Sequence, residues 1–293
     1  MDAVITYVNG LDPLWQKDFE KYAGRRDFEK RFRDWGTLPY LLRGIETCMP
    51  FIKNVFLVVA RESQVPEWVD GSNLHVVLHK DIVPERFLPL FNSASIEMFL
   101  HRIEGLDEEF VYFNDDFFPL MDCNPEDFFV EGKACGRMAK HLFTFGNLYR
   151  RQTRNSDRLS RKAAGKGCSA FFVRPQHTCA PMLRSLCQEL YERCEEQILS
   201  SVSPLREKFN FNQYIYTDYA FFKDAFCNRK ISNKHLSLAV SSASKVSSFI
   251  DNPDSRIACI NDVQMSEDNF ISCRDSVLKA FQKRFPEKSR FER

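Results

Sequence analysis

The stretch Glu108-Glu-Phe-Val-Tyr-Phe-Asn-Asp-Asp-Phe-Phe-Pro119 decides the fold. Residues 110–113 are apolar or aromatic, and residues 110–114 contain no glycine or proline, which predicts a buried β-strand over 110–114. Two carboxylates, Asp115 and Asp116, end this strand, and Pro119 is expected to prevent the ladder from continuing. The carboxyl end of a buried strand is where open α/β sheets bind ligands, so a site is expected here.

The chemistry of this carboxylate pair suits a hard divalent cation. Oxygen ligands of this kind bind Mg²⁺ or Mn²⁺, and such ions bridge phosphate groups. Asp115 and Asp116 are therefore candidate metal ligands at a diphosphate site. Taken alone, the dipeptide is equally compatible with a solvated acidic turn.

The sequence on either side of this stretch predicts a parallel sheet. Residues 2–8, 54–60 and 74–79 read as further strands, and residues 38–48 and 94–103 read as helices. Strands that alternate with helices form parallel sheets with right-handed crossovers. The fold class is thus predicted to be α/β, with a mainly parallel sheet and flanking helices.

Composition excludes several classes of protein. The 293 residues are 44% apolar and 28% charged and carry a formal net charge of +1, which gives no support for a nucleic-acid partner. No apolar run approaches the roughly 18 residues of a membrane span, and the N-terminus reads as a strand, not a signal peptide. The ten cysteines include no Cys-x-x-Cys pair, so they are interpreted as reduced thiols of a cytoplasmic protein.

Polar residues at the predicted turns are further candidates for the site. Asn9, Gly10 and Asp12 follow the first strand, where a glycine turn lets backbone N–H groups approach a phosphate, although an ordinary turn explains them equally. Asn92 and Ser93 precede a predicted helix, where they bind an anion or simply cap the helix.

The second half of the chain is less regular. Residues 120–170 are predicted to be an irregular basic loop region, either an active-site lid, an acceptor-binding loop or a solvated loop. Residues 178–199 read as a helix preceded by His177, a position more often structural than catalytic. A short strand ends on Asn261 and Asp262.

Four blocks, in order, resemble one known family. They are Asp2-Ala-Val-Ile-Thr-Tyr-Val-Asn-Gly-Leu-Asp-Pro-Leu-Trp15; Phe32-Arg-Asp34 with Phe91-Asn-Ser93, Leu100-His-Arg-Ile103 and Tyr112-Phe-Asn-Asp-Asp116; His177 with Arg206 and Asn212-Gln213; and Cys259-Ile-Asn-Asp262 with Phe285-Pro-Glu-Lys-Ser-Arg-Phe-Glu292. Together they resemble the Stealth family, which includes bacterial capsular and exopolysaccharide phosphotransferases and the catalytic part of the animal GlcNAc-1-phosphotransferase. The resemblance covers almost the whole chain.

The resemblance implies a fold and a reaction. The fold is that of a GT-A-like nucleotide-sugar-binding domain with a mostly helical C-terminal portion. Residues 1–293 then form one catalytic domain: a nucleotide-sugar-binding part (1–119), the basic loop region (120–170) and a catalytic or acceptor part (171–293). The reaction is transfer of sugar-1-phosphate, in capsule or exopolysaccharide synthesis, from a nucleoside diphosphate sugar, with a UDP-linked sugar such as UDP-GlcNAc favoured.

The resemblance also implies roles for individual residues. Asp116, His177 and Arg206 are expected to be catalytic, and Asp115 and Asp116 are expected to hold Mg²⁺ or Mn²⁺. His177 is the candidate general base, since a pKa near neutrality suits it to take a proton from the acceptor. The residues expected to bind the nucleotide sugar are Asn9, Gly10, Asp12, Arg33, Asp34, Asn92, Ser93, Asn114, Asn261 and Asp262.

Two other functions compete with this interpretation. An ordinary GT-A glycosyltransferase would transfer the sugar alone and release a nucleoside diphosphate. A non-catalytic nucleotide-sugar-binding scaffold would bind the donor without turnover. The expected partners are the donor, a polysaccharide or oligosaccharide acceptor and a membrane-bound capsule assembly, which the protein would meet peripherally at the inner face of the membrane.

Overall fold

The computed structural model describes residues 1–24, 32–142, 148–263 and 265–293. Its strands are β1 Asp2–Thr6, β2 Val55–Val59, β3 His75–Leu78, β4 Glu109–Asn114, β5 Phe117–Pro119, β6 Phe129–Val130, β7 Lys133–Gly136, β8 Met138–Leu142, β9 Phe171–Pro175, β10 Ala180–Leu183, β11 Phe226–Asn228, β12 Asn233–Ser237 and β13 Ile257–Asn261. Its helices are α1 Pro13–Ala23, α2 Leu38–Cys48, α3 His79–Ile82, α4 Ser93–Glu97, α5 Leu148–Ala163, α6 Arg184–Arg193, α7 Glu195–Ser201, α8 Tyr214–Phe222, α9 Ala243–Asp251 and α10 Glu267–Arg284. Charged residues 25–31, for which a helical or irregular path is expected, lie outside the described residues.

The central sheet confirms the predicted α/β fold. Its strand order is β10-β4-β1-β2-β3, and β1 to β4 are mutually parallel, whereas β10 is antiparallel. From β1 the chain moves outward through β2 to β3 and then returns to place β4 on the other side of β1. The strand order therefore reverses between β1 and β4, which is where open α/β sheets form a ligand crevice.

Both faces of the sheet are buried, because side chains along each strand alternate between two cores. Ala3, Ile5, Val111 and Phe113 face one core, which the side chains of α2 and α10 complete. The even-numbered positions of β1 and β4, such as Val4, Phe110 and Tyr112, face a second core formed with α6, α7 and α8. This two-sided burial explains why residues 110–113 form a continuous apolar run rather than an alternating one.

Strands from the C-terminal part of the chain complete two of the sheets. The antiparallel strand β10 pairs with β4, and β13 pairs with β5, directly beyond the Asp115-Asp116 turn. Pro119 is the last residue of β5 and lies opposite Ile257 of β13, so the ladder ends at the proline, as predicted. A proline is tolerated there because β5 is the edge strand of the sheet β12-β13-β5.

The prediction of an irregular loop over residues 120–170 is wrong. This segment contains strands β6, β7 and β8 and the 16-residue helix α5, while residues 143–147 lie outside the described part. The buried face of α5 is largely polar, comprising Gln152, Thr153, Ser156, Asp157 and Ser160 together with Leu159. Because pattern analysis looks for an apolar face, it fails on such a helix.

Hydrogen bonds replace apolar contacts on this face of α5. Ser160 Oγ donates to the Ile215 carbonyl at 2.7 Å, and Ser156 Oγ donates to Asn212 Oδ1 at 3.2 Å. Asp157 Oδ1 accepts from the backbone N–H of Val173 at 2.9 Å and from Arg161 Nη2 at 3.0 Å. These contacts fix α5 against α8 and β9, although the sequence lacks the usual apolar signal.

Two predicted helices are interrupted. Residues 94–103 form the short helix α4 and a 3₁₀ turn at Leu100–Arg102, because the hydroxyl of Tyr216 donates to the Met98 carbonyl at 2.6 Å. Residues 178–199 form β10 before α6 and α7, since Pro181 lies in an edge strand opposite Val111 instead of a first helical turn. Tertiary pairing therefore overrides local helix propensity in both segments.

Two further observations concern the chain as a whole. Among the described helices, none has the length and apolarity that a membrane crossing requires. All ten cysteines, which lie within the described ranges, carry free thiols.

Candidate functional site

A cavity of about 520 Å³ opens at the carboxyl edge of the central sheet, where the strand order reverses. Residues from the ends of β1, β4 and β13 line it, together with side chains from α4, α5, α8 and the loops between them. The predicted site residues that it brings together are Arg33, Asp34, Ser93, Asn114, Asp115, Asp116, His177, Arg206, Asn261 and Asp262. Residues more than 200 positions apart in the chain thus border one space.

The carboxylates of Asp115 and Asp116 form an electrostatically strained pair. Burial, together with repulsion from Asp116 and Asp34, raises the pKa of Asp115 to about 8. Burial also raises the pKa of Asp116 to about 6. Asp116 Oδ1 is buried and has no hydrogen-bond partner among the described residues. A cation placed here would relieve both the burial and the repulsion, so the pair fits a metal ion.

His177 faces the cavity from the segment between β9 and β10. Its Nδ1 lies 3.3 Å from the hydroxyl of Tyr214, which lies 2.9 Å from the hydroxyl of Tyr149. Burial lowers the pKa of His177 to about 4, and the nearby His235 and Arg174 contribute in the same direction. The ring is therefore neutral above about pH 4, and a lone pair is available to accept a proton.

A network of polar side chains lies on the opposite wall. Arg206 Nη2 donates to Ser93 Oγ at 2.7 Å. The buried Glu97 accepts from the backbone N–H of Gln213 at 2.9 Å and from the hydroxyl of Tyr112 at 3.2 Å. Burial raises the pKa of Glu97, whereas the nearby Arg206 guanidinium lowers it. The Nε of Arg206 is buried without a hydrogen-bond partner in the described chain.

The other predicted residues at the cavity have additional structural contacts. Asp34 accepts from the hydroxyl of Tyr7 at 3.0 Å, and Asn114 Oδ1 lies 2.9 Å from the hydroxyl oxygen of Tyr112. The guanidinium of Arg33 lies 4.8 Å from the ring centroid of Phe270, and its Nη2 donates to a backbone carbonyl.

Asn261 and Asp262 reach the cavity from the end of β13, as predicted. Asn261 Oδ1 lies 2.6 Å from His235 Nε2. Asp262 Oδ1 accepts from the backbone N–H of Val263 at 2.6 Å.

Four predicted ligand-binding residues do not line the cavity: Asn9, Gly10, Asp12 and Asn92. Asp12 caps α1 by accepting from two backbone N–H groups, and it also accepts from Ser63 Oγ at 2.6 Å. Asn9 exchanges backbone hydrogen bonds with the Gln64 side chain, and Asn92 caps α4. In this structure the local capping and turn chemistry of these residues explains their presence.

Gly10 supports the cavity wall without lining it. A Cβ at this position would lie 2.1 Å from the carbonyl oxygen of Phe32, whose ring packs at the cavity against Trp15. We expect Gly10→Ala to lower the free energy of unfolding by about 1–3 kcal/mol, because backbone must move to admit the methyl group. Denaturant unfolding measures this effect. Gly71→Ala, where nothing lies within 4 Å of the new Cβ, is the matched control. Equal stability of the two variants would refute the expectation.

Sequence reasoning missed several residues that border the cavity. They include Glu97, Tyr149 and Tyr214. Glu97 offered a weak signal, since a carboxylate within a segment that is otherwise almost wholly apolar is costly to bury unless it is paired. Tyr149 lies on α5, which pattern analysis did not predict, so no signal for it was available.

Comparison with known proteins identifies the family. The family model for Stealth protein CR2, conserved region 2, matches residues 31–136, the segment that ends beyond the Asp115-Asp116 turn. The capsular polysaccharide phosphotransferase WcwK of Streptococcus pneumoniae is 28% identical over an alignment that covers 100% of this chain and 99% of that protein. The chain belongs to the Stealth family of sugar-phosphate transferases. The family's enzymes transfer phosphorus-containing groups.

Other Stealth relatives match over shorter lengths. A capsular polysaccharide phosphotransferase of Actinobacillus suis is 31% identical over 72% of this chain and 61% of its own length. The receptor polysaccharide phosphotransferase WefC of Streptococcus oralis is 41% identical over 45% of this chain and 42% of its own length. The chain thus spans the whole of one relative but only about half of the others.

Solved structures resemble the chain more distantly. The galactosyltransferase LgtC superimposes with a TM-score of 0.43 at 9% identity, covering 97% of this chain and 96% of that one. Glucosyl-3-phosphoglycerate synthase from Mycobacterium tuberculosis gives a TM-score of 0.34 at 10% identity, covering 99% of this chain and 81% of that one. Both TM-scores are below 0.5. The assignment of the α/β fold class therefore rests on the strand order of the central sheet and not on these structures.

Proposed function

We propose that this protein transfers sugar-1-phosphate from a nucleoside diphosphate sugar to a hydroxyl group of a glycan acceptor in capsule or exopolysaccharide synthesis. The observation that carries the proposal is the meeting of Asp115 and Asp116 with His177 and Arg206 around one cavity. Carboxylates, a neutral imidazole and a guanidinium are what transfer of a phosphoryl group to a hydroxyl requires. The family membership points to the same chemistry, and residues 1–293 act as one catalytic domain in this proposal.

The bond changes follow from this assignment. The acceptor oxygen attacks the β-phosphorus of the donor, and the P–O bond to the α-phosphate breaks. The nucleoside monophosphate leaves, the acceptor loses its proton, and the product is a phosphodiester. The bond between the sugar and its own phosphate stays intact, so anomeric configuration is retained.

Asp115 and Asp116 are the proposed ligands of Mg²⁺ or Mn²⁺. The raised pKa values of both carboxyl groups and the unpartnered Asp116 Oδ1 indicate that the pair fits a divalent cation. When bound, such an ion supplies positive charge to the diphosphate oxygens. The two carboxylates fix where that charge lies relative to the rest of the cavity.

His177 is the proposed general base. It is neutral above about pH 4, and the Tyr214 hydroxyl at 3.3 Å from Nδ1 orients its ring. In the free protein the low pKa makes it a weak base. A substrate that brings negative phosphate charge to the cavity would raise the basicity of the ring, because an anion stabilises the imidazolium.

Arg206 is the proposed cationic ligand of the phosphate groups, with Arg33 in support. The contact from Arg206 to Ser93 and the nearby Glu97 carboxylate hold the guanidinium at the cavity wall. Asp34, Asn114, Asn261 and Asp262 are proposed to position the nucleotide sugar.

Arg206→Gln should reduce kcat/KM by about 10²-fold, since it removes a charge that stabilises developing phosphate charge. Steady-state kinetics with varied donor concentration measure this effect. Arg290→Gln, at an exposed arginine that does not line the cavity, is the matched control and should retain activity. Unchanged kinetics of Arg206→Gln would remove this residue from the mechanism.

Product analysis tests the proposed reaction. The protein is incubated with UDP-, GDP- and CMP-linked sugars, Mg²⁺ and a capsular glycan. The products are then separated by chromatography and identified by mass spectrometry. A UDP-linked sugar is the expected donor, with release of the nucleoside monophosphate and a phosphodiester on the glycan. Release of a nucleoside diphosphate would instead show a glycosyltransferase. Donor binding without any turnover would show a scaffold.

A further inference from the structure

Two histidines and a cysteine converge on one point beside the proposed catalytic centre. Ligand atoms of His177, His235 and Cys259 all lie within 4.8 Å of one another. His177 precedes β10, His235 lies on β12, and Cys259 lies on β13, so three separate segments supply the donors. The pairing of β12 with β13 places His235 directly opposite Cys259.

Asp116 and Asn261 border the same space. Cys259 Sγ lies 3.6 Å from Asp116 Oδ2 and 3.2 Å from Asn261 Oδ1. The Asn261 oxygen also lies 2.6 Å from His235 Nε2. These contacts hold the thiol and the imidazole together, and the second oxygen of Asp116 has no hydrogen-bond partner among the described residues.

The donor types indicate a different ion from the one proposed for Asp115 and Asp116. Mg²⁺ takes oxygen ligands, whereas nitrogen and sulfur ligands select zinc and similar transition metals. Two imidazoles and one thiolate are three protein ligands of the kind that an open zinc site keeps, with a water molecule in the fourth position. This cluster therefore differs in chemistry from the carboxylate pair, although Asp116 lies beside it.

The spacing allows an ion to bind with small side-chain movements. An ion placed between three donors that are at most 4.8 Å apart stands no more than about 2.8 Å from each. Bound zinc lies about 2.0–2.1 Å from histidine nitrogen and about 2.3 Å from cysteine sulfur, so shifts below roughly 1 Å complete the site. His235 is exposed, so its side chain has room for such a shift, whereas Cys259 is fully buried.

We propose that His177, His235 and Cys259 form a binding site for Zn²⁺ or a similar borderline-soft divalent ion, beside the Asp116 carboxylate. On binding, the Cys259 thiol releases its proton to solvent, and the thiolate and both imidazoles donate electron pairs to the ion. The ion then occupies the lone pair of His177 that the transfer reaction needs, and it places positive charge beside Asp116. Zinc binding and sugar-phosphate transfer therefore exclude one another, and the site is inhibitory.

Cobalt(II) titration of the metal-free protein tests the site directly. Co²⁺ takes the place of Zn²⁺, and a thiolate ligand to Co²⁺ produces a charge-transfer absorption in the near ultraviolet. We expect one such band to appear at one Co²⁺ per chain and to disappear when Zn²⁺ is added. The titration uses neither donor nor acceptor, so its outcome does not depend on the proposed transferase activity.

Two variants locate the site, and a third serves as a control. Cys259→Ser should abolish the thiolate band, and His235→Gln should weaken Co²⁺ binding by about 10–100-fold or more. His235 is exposed, so its variant tests the site even if Cys259→Ser fails to fold. Cys168→Ser, at an exposed cysteine outside the cluster, should bind as the unmodified chain does. Absence of the band, or equal Co²⁺ affinity in His235→Gln and the control, would overturn the proposal.

A second measurement, which rests on the proposed function, tests inhibition. With Mg²⁺ in excess, added Zn²⁺ should stop transfer by the unmodified chain and by Cys168→Ser. His235→Gln should need at least about tenfold more Zn²⁺ for half-inhibition, measured relative to its own rate with Mg²⁺ and without Zn²⁺. Equal sensitivity of His235→Gln and Cys168→Ser to Zn²⁺ would contradict an inhibitory role. A chain with no transferase activity would refute the proposed function, and the cobalt titration would still decide the metal site.

Discussion

Replacing His177 with alanine is expected to lower kcat by about 10²–10⁴-fold, the usual contribution of a positioned general base. The imidazole is neutral above about pH 4, lies at the cavity and is oriented by the Tyr214 hydroxyl. Without it, the acceptor hydroxyl must lose its proton to water as it attacks phosphorus. Donor binding should change little, so the loss should appear in kcat rather than in the KM for the donor.

The pH profile of kcat/KM distinguishes this role from a structural one. Burial holds the pKa of His177 at about 4, so the basic form is present above that pH and is lost as the pH falls through it. The acid limb assigned to His177 should therefore lie near pH 4, and His177→Ala should remove that limb. His75→Ala, at an exposed histidine on β3, is the matched control. Near-full turnover of His177→Ala with an unchanged profile would exclude His177 as the base.

Replacing Asp116 with asparagine should lower kcat by about 10³-fold. The substitution keeps the shape of the side chain but removes one of the two negative charges proposed to hold the divalent cation. Positioned charge at the phosphate oxygens is expected to lower the barrier of this reaction more than any other effect, and removing one such group typically costs about 10²–10³-fold in rate. The Mg²⁺ concentration needed for half-maximal activity should rise in parallel.

The same substitution should make the protein more stable. Burial raises the pKa of Asp116 from 3.8 to about 6, so the folded state binds a proton between these values where the unfolded state does not. The folded state therefore loses stability as the pH rises from about 4 to about 6, and asparagine avoids this loss. Asp116→Asn should gain up to about 3 kcal/mol of unfolding free energy at pH 7 without metal, and nothing near pH 4.

Denaturant unfolding at pH 4 and pH 7 measures this gain. Asp122→Asn, at an exposed aspartate a few residues further along the chain, is the matched control. A variant that loses both activity and stability would indicate a structural role for Asp116. Lower activity combined with higher stability is the result expected of a residue kept for function.

The sequence predicted the elements whose burial produces a strong local pattern. β4 is an unbroken apolar run because both faces of the central sheet are covered, and the predicted strand ends at Asn114 as observed. The boundaries of α2, Leu38–Cys48, also agree with the prediction. In both elements the residues that form the pattern are also the residues that make the contacts, so local sequence is sufficient.

Elements whose neighbours are distant in sequence were mispredicted. α5 buries polar side chains that find partners on α8 and β9, about 15 to 60 residues away in the chain. β10 contains Pro181 within a stretch that reads as a helix, yet it pairs with the edge of β4. Local sequence patterns predict neither the helix α5 nor the strand β10. The segments that pair with them lie too far away in the chain to contribute to a local pattern.

The residues of the candidate site also fall into two groups, those that the sequence predicted correctly and those that it did not. Asp115 and Asp116 could be predicted from the sequence, because the end of a buried strand is recognisable and its position in an α/β sheet is general. The family resemblance added His177 and Arg206, and both line the cavity. Asn9, Gly10 and Asp12 were predicted to bind the ligand, but their polar groups serve α1 and the adjacent turn.

By itself, the sequence determined the α/β class, the strand that carries the carboxylate pair and the family to which the chain belongs. Only the tertiary structure decided which distant groups face that pair, including Glu97, Tyr214, His235 and Cys259. The reason is physical. Strand propensity and apolar periodicity act over a few residues, whereas the distances between catalytic groups depend on how strands from both ends of the chain pair in the shared sheets.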